Sequence, residues 1–329
     1  MEKVVVRGAN WIGDVVMSMP FFKGLKTAWP DAEISVLTRP HLAPLYAYNP
    51  SVKLSVLQGK EHRLMGWFRN IKDVRSIDAE RALCLPHSFG SALFLWFAGV
   101  PKRYGRACHQ RSIWFTHPVY GTIEEYEGHQ MDFYLEMLEA ITGFKMQDRL
   151  PEIFMGDRER GKASALLDEM EKPVLGMFCS AAYGPAKIWP RERFIELAKG
   201  FRREKGGSVV LFGSVGDRDK NATIMHAVGK GAYDLAGKTN LLETAAVMES
   251  CQAVVANDSG PMHLAAATGV ITMGIFGSTD PQRTSPRGKQ AKYIYKAFTC
   301  SPCKARTCRY GSYACLRAIT PEEVLREIL

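Results

Sequence analysis

No apolar run in this chain approaches the roughly 20 residues that a helix needs to cross a bilayer. The nearest is SALFLWFAGV at 91–100, whose length fits a core helix. A mean hydropathy of −0.14 also argues against an integral membrane protein. The opening residues, MEKVVVRGANWIGD, lack the pattern of a cleavable signal peptide and instead begin with a predicted β-strand. We therefore expect a protein that is made and kept in the cytosol.

The chain also lacks the G-x-G-x-x-G pattern of dinucleotide sites, since its first loop, GANWIGD, has Gly8 and Gly13 but no glycine at the middle position. An NAD-binding fold is thus not supported. Acidic residues are comparatively few: 34 Asp and Glu face 43 Lys and Arg, which gives a formal net charge of +9. This balance favours an anionic partner, which is a nucleic acid, a phosphorylated substrate or an acidic membrane surface.

Half of the eight cysteines cluster near the end of the chain in the pattern C-x2-C-x4-C-x6-C, as Cys300, Cys303, Cys308 and Cys315. In a cytosolic protein such a cluster indicates metal binding more than disulfides. The second pair is not a CxxC, however, so the match to a zinc site is only partial. We favour reduced thiols that hold a compact tail, and a structural metal stays open as the alternative.

Strand-like and helix-like segments alternate along the whole chain, which predicts α/β architecture with parallel sheets and helices on both faces. We expect two doubly wound domains at 1–165 and 166–329, with the polar helical stretch 158–171 as the hinge region. A last helix, capped by Thr320 with Pro321 at its first position, can pack back on the first domain.

The most informative stretch is AVVANDSGPMHLAAATG at 253–269, which predicts a strand, a tight loop and a helix N-terminus. Free backbone N–H groups and the helix dipole make such a terminus able to hold a phosphate. An ordinary capped turn is the alternative. Several other loops also follow predicted strands, and ligands bind at the carboxyl ends of strands in open parallel sheets.

Four side chains in these loops are of types that can bind a ligand or take part in catalysis. Asp14 stands at a helix start, where it is either an N-cap or a general base whose ionised form the helix dipole stabilises. Lys187 ends the loop SAAYGPAK and is either a solvated lysine or a partner for a diphosphate. Asp217 and Asp219 either form a turn or accept ribose hydroxyls.

A set of motifs spans nearly the whole chain in this order: GANWIGDVVMSMP, GPAKIWP, FGSVGDRD, residues 235–242, NDSGPMHLAAATG, FGSTDP and the cysteine-containing tail. Together they resemble the bacterial heptosyltransferases of glycosyltransferase family nine, and most of all the members that add the second heptose. The resemblance implies the GT-B fold, with two Rossmann-like, doubly wound parallel-sheet domains facing a central cleft. The N-terminal domain would bind the acceptor and the C-terminal domain the nucleotide sugar.

The resemblance also implies an inverting transfer of heptose from ADP-heptose to the heptose/Kdo inner core of lipopolysaccharide. Transfer of the first or third heptose, or of another sugar, is the alternative within the family. Asp14 would be the general base, and Lys187 would stabilise the departing diphosphate. The implied donor-site residues are Ser180, Asp217, Asp219, Thr239, Asp258, Ser259, Gly260 and His263. Thr239 would lie near the adenine, and Asp217 or Asp219 would hold the ribose.

A lysine and a helix N-terminus can stabilise a leaving diphosphate without a metal, so we predict metal-independent transfer with no cofactor. Basic residues that cluster in the N-terminal half suggest a surface for the phosphates of a lipid-linked acceptor; they are Arg63, Arg69, Lys72, Arg75, Lys102, Arg103, Arg106 and Arg111. Of these we select Arg63, Arg103 and Arg106 as acceptor residues, and a solvated basic face is the alternative. The protein would then work peripherally at the cytoplasmic face of the inner membrane.

A nucleic-acid-binding protein is the distant non-enzyme alternative. It predicts aromatic residues interleaved with basic ones on an exposed face. Tyr104 and Trp114 are the candidates near the basic loop at 102–111. Because this evidence is thin, we expect no nucleic-acid partner.

Overall fold

The computed structural model describes residues 1–56, 64–108, 110–121 and 128–329, without the side chains of 54–56, 64 and 65. The chain divides into two compact units, Met1–Phe154 and Met155–Leu329. Each unit contains a six-stranded sheet in which every strand pair is parallel. No helix in the described ranges is long and apolar enough to span a membrane.

The strands of the first unit are β1 (Lys3–Arg7), β2 (Glu33–Thr38), β3 (Lys53–Val56), β4 (Arg81–Cys84), β5 (Lys102–Arg106) and β6 (His117–Val119). Its helices are α1 (Ile12–Met17), α2 (Met19–Ala28), α3 (Leu64–Ile77), α4 (Phe89–Phe97) and α5 (Gln130–Thr142). Short 3₁₀ turns cover Pro40–Tyr46 and Ser112–Trp114. The prediction of a basic loop at 102–111 is therefore wrong for residues 102–106, because these form β5, which pairs with β4 and β6.

The first sheet has the order β3-β2-β1-β4-β5-β6. The chain runs from β1 outward to β3 and then returns to the other side of β1 as β4. Such a reversal leaves a crevice at the carboxyl ends of the two central strands, where open α/β sheets bind ligands. Val4, Val5 and Val6 in β1 are completely buried because the sheet is covered on both faces.

The second unit opens with α6 (Asp157–Leu167), β7 (Val174–Phe178), α7 (Arg191–Lys205), β8 (Ser208–Leu211), α8 (Arg218–Val228) and β9 (Ala232–Asp234). It continues with α9 (Leu241–Glu249), β10 (Ala253–Asn257), α10 (Gly260–Thr268), β11 (Ile271–Phe276), α11 (Pro281–Thr284), β12 (Ala291–Tyr295), α12 (Ala314–Arg317) and α13 (Pro321–Ile328). The sheet order β12-β11-β10-β7-β8-β9 repeats the topology of the first unit. Its reversal lies between β7 and β10.

The boundary between the units falls before α6, and not at the predicted 165/166. Helix α6 packs on α9. Arg160 contacts Glu249 at 3.1 Å and Lys162 contacts Glu243 at 2.8 Å. Most residues of this helix are polar, which is why its sequence suggested a solvated hinge. Its buried residues, Glu159, Ala163 and Leu167, and these ion pairs attach it to the second unit.

Helix α13 packs on α7 and β11 of the second unit. Val324, Leu325 and Ile328 are part of the hydrophobic core of that unit. This packing lies within the second unit, and the suggestion that the last helix also packs back on the first domain stays a prediction. Its predicted start is correct, because the Thr320 side chain accepts a hydrogen bond from the Glu323 N–H and Pro321 occupies the first turn.

Candidate active site

Asp14 lies on α1, just beyond the carboxyl end of β1 at the reversal of the first sheet. The N-cap of α1 is Trp11, so the alternative that Asp14 is the N-cap is wrong. The Asp14 side chain is half-buried, and burial raises its pKa to about 6, although a hydrogen bond from Tyr134 opposes this shift. The predicted stabilisation of the ionised form by the helix dipole is thus outweighed by desolvation.

Tyr134 on α5 is the partner that holds Asp14. Burial, followed by the nearby charge of Asp14, raises the pKa of Tyr134 well above its usual range. The phenol therefore stays protonated and donates its O–H to the carboxylate. No motif around Tyr134 in the sequence marks this contact.

In the second unit, Lys187 forms an ion pair with Asp258 at the reversal between β7 and β10. The Lys187 Nζ lies 2.5 Å from the Asp258 Oδ2, and the two side chains are 14% and 4% exposed. Thr279 donates its hydroxyl to the same oxygen at 2.5 Å. Lys187 is therefore not a solvated surface lysine but a buried cation next to the first turn of α10. Thr279 was not singled out from the sequence, although it lies in the FGSTDP motif.

Asn257 joins the loops that follow β7 and β10. Its side-chain oxygen accepts from the Trp189 N–H at 2.9 Å, and its amide nitrogen donates to the Ser180 carbonyl at 3.5 Å. The Trp189 ring is completely buried and donates to the Ile319 carbonyl. These contacts position the loop that carries Lys187 on the sheet.

Ser180 and Asp217 bind each other. The Ser180 hydroxyl donates to Asp217 Oδ1 at 2.6 Å, while Ser214 donates from its backbone N–H and its hydroxyl to Oδ2. Burial alone would raise the pKa of Asp217, but these hydrogen bonds and nearby Lys220 lower it below its usual value. Asp217 is thus an ionised anchor for the loop, and the predicted turn-forming role of Asp217 is present in the structure.

Asp219 is exposed in the first turn of α8, two residues beyond Asp217. Two carboxylates at this spacing could chelate a divalent cation. The Asp217 oxygens, however, are already occupied by Ser180 and Ser214. Within the described ranges, no three His, Cys, Asp or Glu side chains are arranged to hold a metal ion.

The remaining predicted donor residues lie on α10 and before α9. Ser259 is the N-cap of α10 and donates its hydroxyl to the Asn257 carbonyl, while Gly260 is the first residue of the helix. His263 is buried on the same helix. Thr239 precedes α9, and its hydroxyl lies 2.8 Å from that of Thr244.

Two of the predicted acceptor residues, Arg103 and Arg106, already have partners within the first unit. Arg103 donates to the carbonyls of Trp114 and Val100, and burial lowers the pKa of its guanidinium. Arg106 is buried, pairs with Glu136 at 2.9 Å and lies over the Phe133 ring. The structure thus gives both side chains structural contacts inside the first unit, contrary to the proposed exposed patch. Arg63 lies outside the described residues.

The eight cysteines are all free thiols. Burial raises the pKa of the Cys315 thiol, and the proximity of Cys300, Cys303 and Cys308 adds to this. The partly buried Cys308 has a lowered pKa because backbone N–H groups of Tyr313 and Tyr310 donate to its sulfur. The four tail cysteines are therefore neighbours in space as well as in sequence.

Comparison with known proteins identifies this arrangement. The model of glycosyltransferase family 9 (heptosyltransferase) matches residues 67–314. The chain belongs to glycosyltransferase family 9. It is thus a glycosyltransferase, as the motif resemblance implies.

Family 9 relatives align over almost the full chain. Lipopolysaccharide heptosyltransferase 2 of Salmonella typhimurium is 29% identical, with 99% of this chain and 97% of that protein covered. Lipooligosaccharide heptosyltransferase 2 of Haemophilus ducreyi is also 29% identical, with 99% and 98% covered.

Solved structures of the family agree on the fold. The Escherichia coli ADP-heptose LPS heptosyltransferase II has a TM-score of 0.83 at 27% identity, with 100% of this chain and 97% of that chain covered. A family 9 glycosyltransferase from Veillonella parvula has a TM-score of 0.86 at 22% identity, with 99% and 96% covered. The two parallel-sheet units are those of the GT-B fold, as the resemblance implies.

Proposed function

We propose that this family 9 enzyme transfers heptose from ADP-heptose to the inner core of lipopolysaccharide, with addition of the second heptose favoured. The observation that carries this proposal is the buried Lys187–Asp258 ion pair beside the first turn of α10. A fixed cation and a helix N-terminus are a suitable site for a leaving diphosphate. The names of the full-length relatives support heptose as the sugar and lipopolysaccharide as the acceptor.

In this proposal the second unit binds the donor. Lys187 neutralises charge on the diphosphate, and the first N–H groups of α10 donate to its oxygens. Asp258 holds the lysine in place before the donor arrives, and Thr279 in turn donates a hydrogen bond to Asp258. Because Asp217 is fixed by Ser180 and Ser214, the exposed Asp219 is the better candidate for the ribose hydroxyls.

The first unit supplies the base. The acceptor hydroxyl oxygen forms a bond to C1 of the heptose while the bond from C1 to the diphosphate oxygen breaks. Asp14 takes the hydroxyl proton, and ADP leaves with the electron pair of the broken bond. Attack from the side opposite the leaving group inverts C1. A carboxylate with a pKa of about 6 is a stronger base than an ordinary aspartate and is still largely ionised at neutral pH.

Charge stabilisation by Lys187 and α10 makes a metal unnecessary in this scheme. The same residues would serve any family member that uses ADP-heptose, so they do not select the acceptor. We propose that the first unit binds the acceptor and makes this selection.

The test is mass analysis of the product formed from ADP-heptose and a defined inner-core acceptor that carries one heptose. We expect a gain of one heptose that persists when a metal chelator is added. No product with this acceptor, but a product with one that lacks heptose, would show that the first heptose is added instead. Transfer from another nucleotide sugar, with none from ADP-heptose, would refute the proposal.

A further inference from the structure

Six aromatic rings form a continuous ladder on one face of the first unit. The rings belong to α3, α4 and the 3₁₀ turn at Ser112–Trp114, and each contacts the next with centroids 4.8 to 5.8 Å apart. In order along the face they are Phe89, Trp114, Trp96, Phe97, Trp67 and Phe68. We call this set the aromatic ladder.

The ladder is attached to the core on one side and open to solvent on the other. Trp67 and Trp114 pack against the hydrophobic core of the first unit. The remaining rings are exposed by 38% to 59% of their surface, and neighbouring Ile113 by 74%. Large side chains exposed singly are ordinary, but a contiguous patch of this kind marks an interaction surface.

Cations accompany the ladder. Phe68, Lys72 and Arg75 are spaced so that they follow one another along the exposed side of α3, and Arg69 is also exposed there. Arg75 donates to the Phe97 carbonyl at 2.9 Å, which places a guanidinium at the end of α4. Asp73 is the one acidic residue within Leu64–Ile77. The face is thus aromatic with a basic border.

We propose that the aromatic ladder and its basic border, Arg69, Lys72 and Arg75, dock the first unit on the surface of an anionic lipid bilayer. Aromatic side chains favour the interface between headgroups and acyl chains, and nearby Lys and Arg are attracted to anionic lipids. This inference rests on the proposed function, because a lipid-linked acceptor must be reached at a membrane.

The position of the ladder agrees with that use. Phe89 begins α4 shortly after the carboxyl end of β4, and β4 pairs with β1, whose following loop leads to Asp14. The ladder therefore starts on the same edge of the sheet as the candidate base. A membrane that contacts this face would hold a lipid-linked sugar near that edge.

Two other occupants fit less well. A symmetric dimer would place the same cations of two copies against each other. Single-stranded nucleic acid needs flat ring faces on which bases can stack, whereas these rings meet edge to face at 62° to 86°.

The test is flotation of the full-length protein with vesicles of phosphatidylethanolamine and phosphatidylglycerol, and with vesicles of phosphatidylcholine alone. One variant combines Phe68→Ser with Trp96→Ser, and a second combines Arg69→Glu with Lys72→Glu. We expect each to lower the partition constant on anionic vesicles by about tenfold or more, since each removes interfacial area or charge. The second variant leaves every ring in place, so it tests the surface even where the first loses stability.

The matched controls are Tyr310→Ser, which removes an exposed aromatic ring from the second unit, and Lys199→Glu, which reverses an exposed charge on α7. Both controls should float like the unaltered protein. We call the ring variant and the charge variant together the ladder variants. In both, heptose transfer to a soluble acceptor without lipid should be unchanged, while transfer to the same acceptor anchored in vesicles falls. If the unaltered protein transfers no heptose to the soluble acceptor, that result counts against the proposed function and not against membrane docking.

Several results would overturn the inference. They are absence of flotation by the unaltered protein, equal flotation of ladder variants and controls, a dimer in light scattering that the ladder variants dissociate, or oligonucleotide binding that they abolish. The last two would assign the face to a second copy or to nucleic acid.

Discussion

Tyr134 on α5 donates a hydrogen bond to the carboxylate of Asp14 on α1. The two residues lie far apart in sequence, and their contact tunes the candidate base. Burial raises the pKa of Asp14 and the phenol lowers it, which leaves it at about 6. The same burial keeps Tyr134 protonated, so the donor is present throughout the working pH range.

Replacing Tyr134 with Phe should move the acidic limb of the rate profile to higher pH. The variant removes the hydrogen bond that lowers the pKa of Asp14 and leaves the burial that raises it. Less of the base is then ionised near pH 6, whereas activity well above the new pKa changes little. The measurement is kcat/KM against pH for both proteins. An unshifted acidic limb would show that the limb belongs to another group.

Asp14→Asn should lower kcat by about a hundredfold or more, because a general base contributes about 10²–10⁴-fold and the amide cannot take a proton. Binding of ADP-heptose should stay close to normal, since the proposed donor residues are in the other unit. Steady-state kinetics and a donor titration measure the two effects. A variant that keeps most of its activity would show that the base is elsewhere.

The stability of Asp14→Asn should exceed that of the unaltered protein at neutral pH. The folded-state pKa of about 6 lies above that of an unfolded aspartate, so the folded state binds more protons between the two values. Stability of the unaltered protein therefore falls as pH rises through this window, and the variant lacks this loss. Thermal unfolding at about pH 5 and about pH 8 should give the larger difference at the higher pH. A smaller difference at the higher pH would contradict the raised pKa.

Lys187→Ala should reduce kcat strongly, because the lost charge matters most as the diphosphate departs. It should also lower the free energy of unfolding by about 3–5 kcal/mol, since Asp258 is left buried without its cation. The double variant Lys187→Ala with Asp258→Asn separates the effects: stability should recover and kcat should not. If only the donor KM changed, Lys187 would be a binding residue and its proposed role would be wrong.

Arg106→Glu should unfold the first unit more easily instead of weakening acceptor binding alone. The change removes a buried ion pair and sets two carboxylates together at Glu136, at a cost of about 3–5 kcal/mol. Arg69→Glu, at an exposed position on α3, is the charge-matched control and should leave the melting temperature nearly unchanged. A stable Arg106→Glu protein with a raised acceptor KM would restore the original acceptor assignment.

Local chemistry was enough to predict much of the fold. Alternating strand and helix patterns predicted two doubly wound parallel sheets, and the structure has one such sheet in each unit. Thr320 and Pro321 predicted the start of α13, where they form the cap and the first helical position. Caps, proline geometry and apolar periodicity act over a few residues, so the sequence carries them directly.

Tertiary structure decided the properties that depend on distant neighbours. The raised pKa of Asp14 comes from desolvation and from Tyr134, and neither is visible in GANWIGD. Arg103 and Arg106 look like surface cations in sequence, but carbonyls and Glu136 hold them inside. The aromatic ladder joins three separate segments and exists only once they pack together. Composition and spacing determine which groups a chain has, whereas burial and long-range contacts determine their charge, basicity and exposure.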